Sequence, residues 1–247
     1  MRAERWQGAG NVYLLVEGEP ADVAAACRAH EADGVLVLTA VAGAHVAMRI
    51  INPDGSEPEA CGNGTRMVAR FVAERDGRGD VRIATPAGVI ETVIHDDGTV
   101  TARMADARLT DDDQYRPTGE PFPYPHRFVS VGNPHAVIQV DDPAAFPLAY
   151  QGPILEHHEW FPQRANIEVW RPLADGSVEM RVWERGVGET PACGTGACAV
   201  AVSAVLDGLA HSPVTVHLPG GSLEVAIGPD LEIRMTGPAE RMAVLDL

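Results

Sequence analysis

The sequence predicts a mixed α/β (α+β) fold of two pseudo-symmetric domains, and three observations predict it. A Cys-Gly-x-Gly turn occurs twice, as Cys61-Gly62-Asn63-Gly64 and Cys193-Gly194-Thr195-Gly196, each leading into a small-residue, apolar run. Such a run, entered through glycines and free of Pro, reads as a buried helix. The repeat also reaches far beyond the turn. Cys193 lies 132 residues after Cys61, Met180-Arg181 lies 132 after Met48-Arg49, and Val178 and Glu189 match Val46 and Glu57 at the same offset. Pro219, Gly221 and Glu224 fall 133 residues after Pro86, Gly88 and Glu91, and Arg234-Met235 falls 131 after Arg103-Met104. A near-constant offset through strand-like and helix-like segments marks an internal duplication. Finally, 247 residues suffice for two domains of ordinary size, each with its own core.

In chain order, residues 12–16 form a buried strand after Gly8-Ala9-Gly10-Asn11. Residues 20–30 form a helix with Asp22 near its start and Cys27 packed as a small hydrophobe among alanines. Residues 35–38 and 44–51 are strands, the second alternating enough to keep one wet face. Asn52-Pro53-Asp54-Gly55 turns the chain toward the first cysteine loop and its helix, which Asp76-Gly77-Arg78-Gly79 ends. Residues 81–85, 89–94 and 100–104 are strands joined by turns at Pro86-Ala87-Gly88 and Asp96-Asp97-Gly98. The proline- and charge-rich stretch 111–125 sets the boundary between a first half, 1–115, and a second, 116–240. There, Gly132-Asn133-Pro134-His135 leads into strand 136–140, echoing Gly10-Asn11, and a helix or loop reaches His157-His158. Strands 165–170 and 178–183 follow, the latter delivering Glu184-Arg185-Gly186 to the second cysteine loop and helix. After two hairpin strands, 241–247 is a last strand assigned to pack on the N-terminal half.

Composition narrows the function. No apolar run reaches membrane-spanning length and no basic-then-apolar leader opens the chain, which points to a cytoplasmic protein without a membrane partner. A net charge of −16 argues against a nucleic-acid surface. The four cysteines show neither paired Cys-x-x-Cys motifs nor a His/Cys cluster at zinc spacing, so no metal site is expected, and in the cytosol they stay reduced.

The two cysteines carry the chemistry. At a helix N-terminus the dipole and unpaired N–H groups are expected to stabilise a thiolate and lower its pKa. The adjoining glycines let backbone N–H groups approach an anion. One such device per half, at a shared interface, lets two thiols face each other. A thiolate on one face takes a proton from carbon while a thiol on the other returns one, and the carbon inverts. A proton beside a carboxylate is poorly acidic, so the developing dianion needs the N–H groups of both loops.

These motifs resemble the diaminopimelate epimerase family over essentially the whole chain. The resemblance is carried by Asn52-Pro53-Asp54-Gly55-Ser56 with Ala60-Cys61-Gly62-Asn63-Gly64-Thr65-Arg66, and by Gly132-Asn133-Pro134-His135. Arg164-Ala165-Asn166, Glu184-Arg185-Gly186-Val187-Gly188-Glu189-Thr190 and Ala192-Cys193-Gly194-Thr195-Gly196 complete it. It implies two domains, each a curled mixed β-sheet around a central helix, with the active site in the interdomain cleft. It also implies epimerisation of LL-2,6-diaminopimelate to the meso form in lysine and peptidoglycan precursor synthesis, without pyridoxal phosphate or other cofactor. Carried over, Cys61 and Cys193 are the base/acid pair, and His135 and Glu184 tune them and contact the substrate amine. Gly62, Asn63, Gly194 and Thr195 hold the reacting carboxylate through backbone N–H groups. Arg185 takes the distal carboxylate with a planar fork of donors. Asn11, Asn52, Asn133 and Asn166 orient the rest of a small zwitterionic substrate. A homodimer is allowed.

The chain departs from the family pattern at Trp6-Gln7-Gly8, at Val12-Tyr13 and at Gly34, and Cys198 is expected to pack in the core. The rival readings are a proline racemase or hydroxyproline epimerase, a non-catalytic binding module on the same fold, and a thiol redox protein. Arg185 and the asparagines suit a long substrate with a second amino-acid end. A cyclic imino acid needs a smaller, more apolar pocket.

Overall fold

The computed structural model describes residues 1–57 and 61–247; Ala60 of the first cysteine motif lies outside the described residues. In chain order the first elements are β1 (Arg2–Gly8), β2 (Asn11–Val16), α1 (Val23–His30), β3 (Gly34–Thr39), β4 (Val46–Ile51), α2 (Gly62–Asp76), β5 (Asp80–Thr85), β6 (Gly88–Ile94) and β7 (Val100–Arg103). They are followed by β8 (Arg127–Ser130), β9 (Pro134–Gln139), α3 (Leu148–Glu156), β10 (Asn166–Pro172), β11 (Val178–Glu184) and β12 (Gly188–Thr190). The chain closes with α4 (Gly194–Leu206), β13 (Val214–Leu218), β14 (Gly221–Ile227), β15 (Ile233–Gly237) and β16 (Glu240–Asp246).

The chain divides into two units, Met1–Arg103 with Thr236–Leu247, and Met104–Met235. The sequence places the change at 115/116 because the proline-rich stretch is the more visible break. The segment before that break already belongs to the second unit by its hydrogen bonds: Ala107 N–H bonds Leu231 and Arg108 pairs with Ser130.

In the first unit the strands run in the order β16-β1-β2-β3-β4-β5-β6-β7. Period-two alternation sorts β2 onto two faces. Tyr13 and Leu15 join a core around α2 with Trp6, Leu36, Leu38, Met48, Ile50, Val81 and Ile83, while Leu14 and Val16 join Val35, Val37 and Cys27 of α1 on the other side. Helix α2 presents Met67, Val68, Ala69 and Val72, each fully buried, and touches strands from β1 to β7, so the sheet curls around it. Burying an aliphatic side chain of this size contributes about 1.5–3 kcal/mol. Asp22 caps α1 by accepting the Ala25 N–H at 2.8 Å, and Gly77, left-handed at φ 66°, ends α2.

The second unit is built on the same plan, in the order β15-β14-β13-β11-β10-β9-β8, with β12 on β11. Its α4 is apolar all round, with residues 197–202 fully buried, and it touches β8, β9, β10, β11, β13 and β14. Helix α3 covers the opposite face, where Leu148 and Leu155 meet Phe128, Ile138, Ile167 and Val169. Strand directions repeat in sequence. The pairs β1–β2, β3–β4 and β5–β6 are antiparallel while β2–β3 and β4–β5 are parallel. Likewise β8–β9, β10–β11 and β13–β14 are antiparallel while β9–β10 and β11–β13 are parallel. The matched positions even make the same ion pair: Arg49 Nη2 lies 2.6 Å from Glu57 Oε1, and Arg181 Nη2 lies 2.7 Å from Glu189 Oε1.

Strands β1, β8, β12 and β15 have no counterpart in the sequence reading. Charged Arg2, Glu4 and Arg5 hide β1, yet Ala3, Trp6 and Gly8 point inward and β1 pairs with both β2 and β16. Three-residue β12 is too short to carry a pattern.

Candidate active site

Each Cys-Gly-x-Gly turn places its cysteine at the N-cap of its unit's central helix, in nearly the same extended conformation. Cys61 has φ −144° and ψ 111°; Cys193 has φ −133° and ψ 112°. An N-cap points its side chain at the free N–H groups of the first turn.

In the first unit the half-buried Cys61 Sγ accepts the Gly64 N–H at 3.3 Å and lies 3.5 Å from the Tyr13 hydroxyl. Asn63 is buried beside it: its amide donates to Asn11 Oδ1, and its oxygen accepts Arg66 Nη2 at 2.6 Å. Asn11 in turn donates to Asp33 at 3.3 Å. The Asn63 side chain is thus spent on holding the loop. Asn52 stays in its own turn, its amide donating to Ser56 Oγ at 2.9 Å.

In the second unit the structure brings together a continuous chain of polar groups. Cys193 Sγ lies 3.5 Å from Thr195 Oγ1, which accepts from Asn133 Nδ2 at 3.3 Å. Asn133 Oδ1 is 3.1 Å from His135 Nε2, and His135 Nδ1 is 2.7 Å from Glu168 Oε1. His135 and Glu168 are fully buried. An amide oxygen only accepts, so His135 Nε2 carries a proton, and Nδ1 and Glu168 share the next one. Glu168 Oε2 has no hydrogen-bond partner among the described residues. Burial pushes the Glu168 carboxyl above its usual range, while His135 pulls it back.

Glu168 is the residue the sequence reading missed. The reading of strand 165–170 gave it no role, and only the fold shows it facing inward. Gly196 is fitted to it: a Cβ there would sit 2.8 Å from Glu168 Oε1 and 3.4 Å from Cys193 Sγ.

Asn166 donates to the Pro134 carbonyl at 2.9 Å and accepts the Arg185 N–H at 3.0 Å, pinning the end of β11 to the His135 turn. Glu184 accepts from the Thr190 hydroxyl. Arg185 is exposed and uses one guanidinium N–H on the Gln163 carbonyl at 3.0 Å.

The expected lowering of both cysteine pKa values is corrected for Cys193. Burial pushes this thiol well above its ordinary 9.0, and the Glu184 and Glu168 carboxyls add to the effect. The Thr195 hydroxyl and Gly196 N–H pull the other way and are outweighed. A helix terminus offers a fraction of a charge, too little to offset removal from water beside two carboxyls. Cys193 is therefore held as S–H. At pH 8, iodoacetamide under native conditions is expected to label Cys61 at least about tenfold faster than Cys193, since only a thiolate within reach reacts. Time-resolved peptide mass mapping measures the ratio.

Cys27 and Cys198 are buried in their respective cores. Among the described residues no group of three or more His, Cys, Asp or Glu is placed to hold a metal ion, and no helix is long and apolar enough to cross a membrane.

Comparison with solved structures shows which fold this is. A hydroxyproline epimerase from Agrobacterium vitis, solved with trans-4-hydroxy-L-proline, superposes with a TM-score of 0.70 at 16% identity, covering 100% of this chain and 90% of that one. A putative phenazine biosynthesis PhzC/PhzF protein from Clostridium difficile gives 0.72 at 12% identity, covering 100% and 99%. At such identities only the fold is shared, and it is the fold of epimerases, racemases and PhzF-like proteins. The diaminopimelate epimerase family model matches residues 7–110 and 127–242. Diaminopimelate epimerase of Synechococcus elongatus is 41% identical over 96% of this chain and 95% of its own length. The chloroplastic diaminopimelate epimerase of Oryza sativa is 41% identical over 96% of this chain and 77% of its own. The chain belongs to the diaminopimelate epimerase family.

Proposed function

We propose that this protein epimerises LL-2,6-diaminopimelate to meso-diaminopimelate by two-base proton transfer between Cys61 and Cys193. The observation that carries this reading is the repeated N-cap cysteine, one at the head of the central helix in each half. Curated diaminopimelate epimerases at about 41% identity over nearly the whole chain support the substrate.

In this reading Cys193 enters the reaction as the acid, because it is held as S–H, and Cys61 as the base. The Cys61 sulfur takes the α-proton, and the electron pair passes into the adjoining carboxylate. The Cys193 S–H then delivers a proton to the opposite face, leaving a thiol at 61 and a thiolate at 193. The Gly62, Asn63, Gly194 and Thr195 N–H groups stabilise the dianion between these events. Loss of the Cys193 proton leaves a buried thiolate beside Thr195, and the shared Glu168–His135 proton lies three hydrogen bonds away to balance it. Glu184 and Asn166 orient the amine end. Arg185, with most of its fork still to offer, takes the distal carboxylate. Asn11 and Asn52 are assigned to orienting the rest of the substrate. We place the enzyme in the cytoplasm, where both thiols stay reduced.

The test is incubation with LL- and meso-diaminopimelate, and separately with L-proline and trans-4-hydroxy-L-proline, in deuterated buffer under reductant. Deuterium at the α-carbon of both diaminopimelate isomers, and of neither imino acid, is the expected result. Exchange into proline instead would assign the racemase reading. No exchange at all would leave a binding module.

A further inference from the structure

Both cysteines have a hydroxyl 3.5 Å from sulfur, but the two hydroxyls come from unrelated places. In the second unit it is Thr195, two residues along the same loop. The corresponding residue of the first unit is Asn63, whose amide is engaged with Asn11 and Arg66. There the hydroxyl comes from Tyr13, 48 residues away on β2. The ring reaches the sulfur because Gly34 leaves room for it: a Cβ at Gly34 would sit 2.9 Å from Tyr13 Cε1. Tyr13 is itself buried, so its hydroxyl is fixed rather than swinging in solvent.

We propose that Tyr13 is a positioning residue for Cys61, its hydroxyl forming a hydrogen bond that reverses as the sulfur changes between thiolate and thiol. The proposal rests on Cys61 being the base. The chemistry favours a hydroxyl for this task. The Gly64 N–H at 3.3 Å only donates, so it favours the thiolate alone and opposes protonation. A phenol donates to a thiolate and accepts from an S–H, so it stays satisfied on both sides of the proton transfer. A base that becomes an acid in the return direction needs such a partner. Thr195 meets the same need at Cys193, so each half supplies the reversible partner by its own route. The charged groups on the neighbouring elements are already committed: Arg66 to Asn63, and Asp33 to Asn11 and the Val12 N–H at 2.8 Å.

The test is Tyr13→Phe, which keeps the ring over Gly34 and removes one oxygen. The readout is the pH profile of Cys61 alkylation by iodoacetamide, followed by peptide mass mapping, with kcat and KM measured in parallel. The expected result is a profile moved to higher pH, with the reactive fraction at neutral pH down about tenfold, the size of one hydrogen bond to a charged group. A similar fall in kcat with little change in KM is expected. Fluorotyrosine at position 13, a stronger donor, moves the profile the other way. An unchanged profile for both substitutions overturns the proposal, whatever happens to melting temperature, because packing alone would then account for Tyr13. Alkylation needs no substrate, so this failure is distinct from an absence of epimerisation by the unmodified protein.

Discussion

Replacing either Cys61 or Cys193 by alanine lowers epimerisation by at least about 10³–10⁴-fold, the upper range for loss of a positioned acid or base. Proton transfer to and from opposite faces of one carbon has no substitute for a missing sulfur. The two losses have different stability signatures. Cys61→Ala removes the cap on α2, where Sγ accepts the Gly64 N–H, and costs about 1 kcal/mol. Cys193→Ala removes a buried thiol, and its effect depends on pH. The folded-state pKa of Cys193 is raised above its ordinary 9.0, so the stability it contributes is complete below about pH 9 and is lost as pH rises further. Denaturant titrations should therefore show the unmodified protein losing ground to Cys193→Ala from pH 9 upward. A parallel pH dependence in both proteins would contradict the raised pKa.

Glu168→Ala is expected to destabilise the protein by about 3–4 kcal/mol, the range for removing one member of a buried pair. His135 then keeps a buried, polarised ring with nothing at Nδ1. For a chain of this length the melting temperature falls by roughly 10 °C. Glu168→Gln behaves differently. Its amide can donate to Nδ1 while Nε2–H still reaches Asn133, so the geometry survives and the stability cost stays within about 1 kcal/mol. What Gln cannot do is share a proton. The turnover of Glu168→Gln should fall with little change in melting temperature, and calorimetry of both variants beside kcat measurements separates the roles. Equal melting losses in the two would mean that the carboxyl group itself holds the fold, and would contradict a separate role in turnover.

The legible part of this molecule was whatever a short window or a fixed offset could hold. The duplication predicted two copies of one plan, and strand directions repeat pair by pair between the units. Glu57 and Glu189 entered the argument as matching letters, and each proves to hold the matching arginine. Asp22 was read as a helix-start signal and serves as the cap of α1.

What escaped the sequence reading depends on distant parts of the chain. The Tyr13 hydroxyl meets Cys61 only because β2 and the start of α2 are folded together. Glu168 faces inward on β10 and meets His135 of β9 across a parallel pair, a contact no local pattern encodes. The state of Cys193 turned on the same contacts. A helix N-terminus is visible in a sequence, but the burial and the two carboxyls that outweigh it arrive from other strands. Charge at three of its seven positions masked β1, although its inward residues include the fully buried Trp6.

The central claim is that two different sulfurs serve the two faces of one carbon, and isotope partition tests it most directly. LL-diaminopimelate is turned over in deuterated buffer and stopped at a few per cent conversion. Two-base transfer predicts meso product carrying deuterium at the inverted carbon, because its proton comes from the second, solvent-equilibrated thiol. The recovered LL-isomer stays unlabelled, because the first sulfur can return only the hydrogen it removed. Product that retains the substrate's own hydrogen, or label spread equally over both isomers, would mean that a single base serves both faces and would contradict the account.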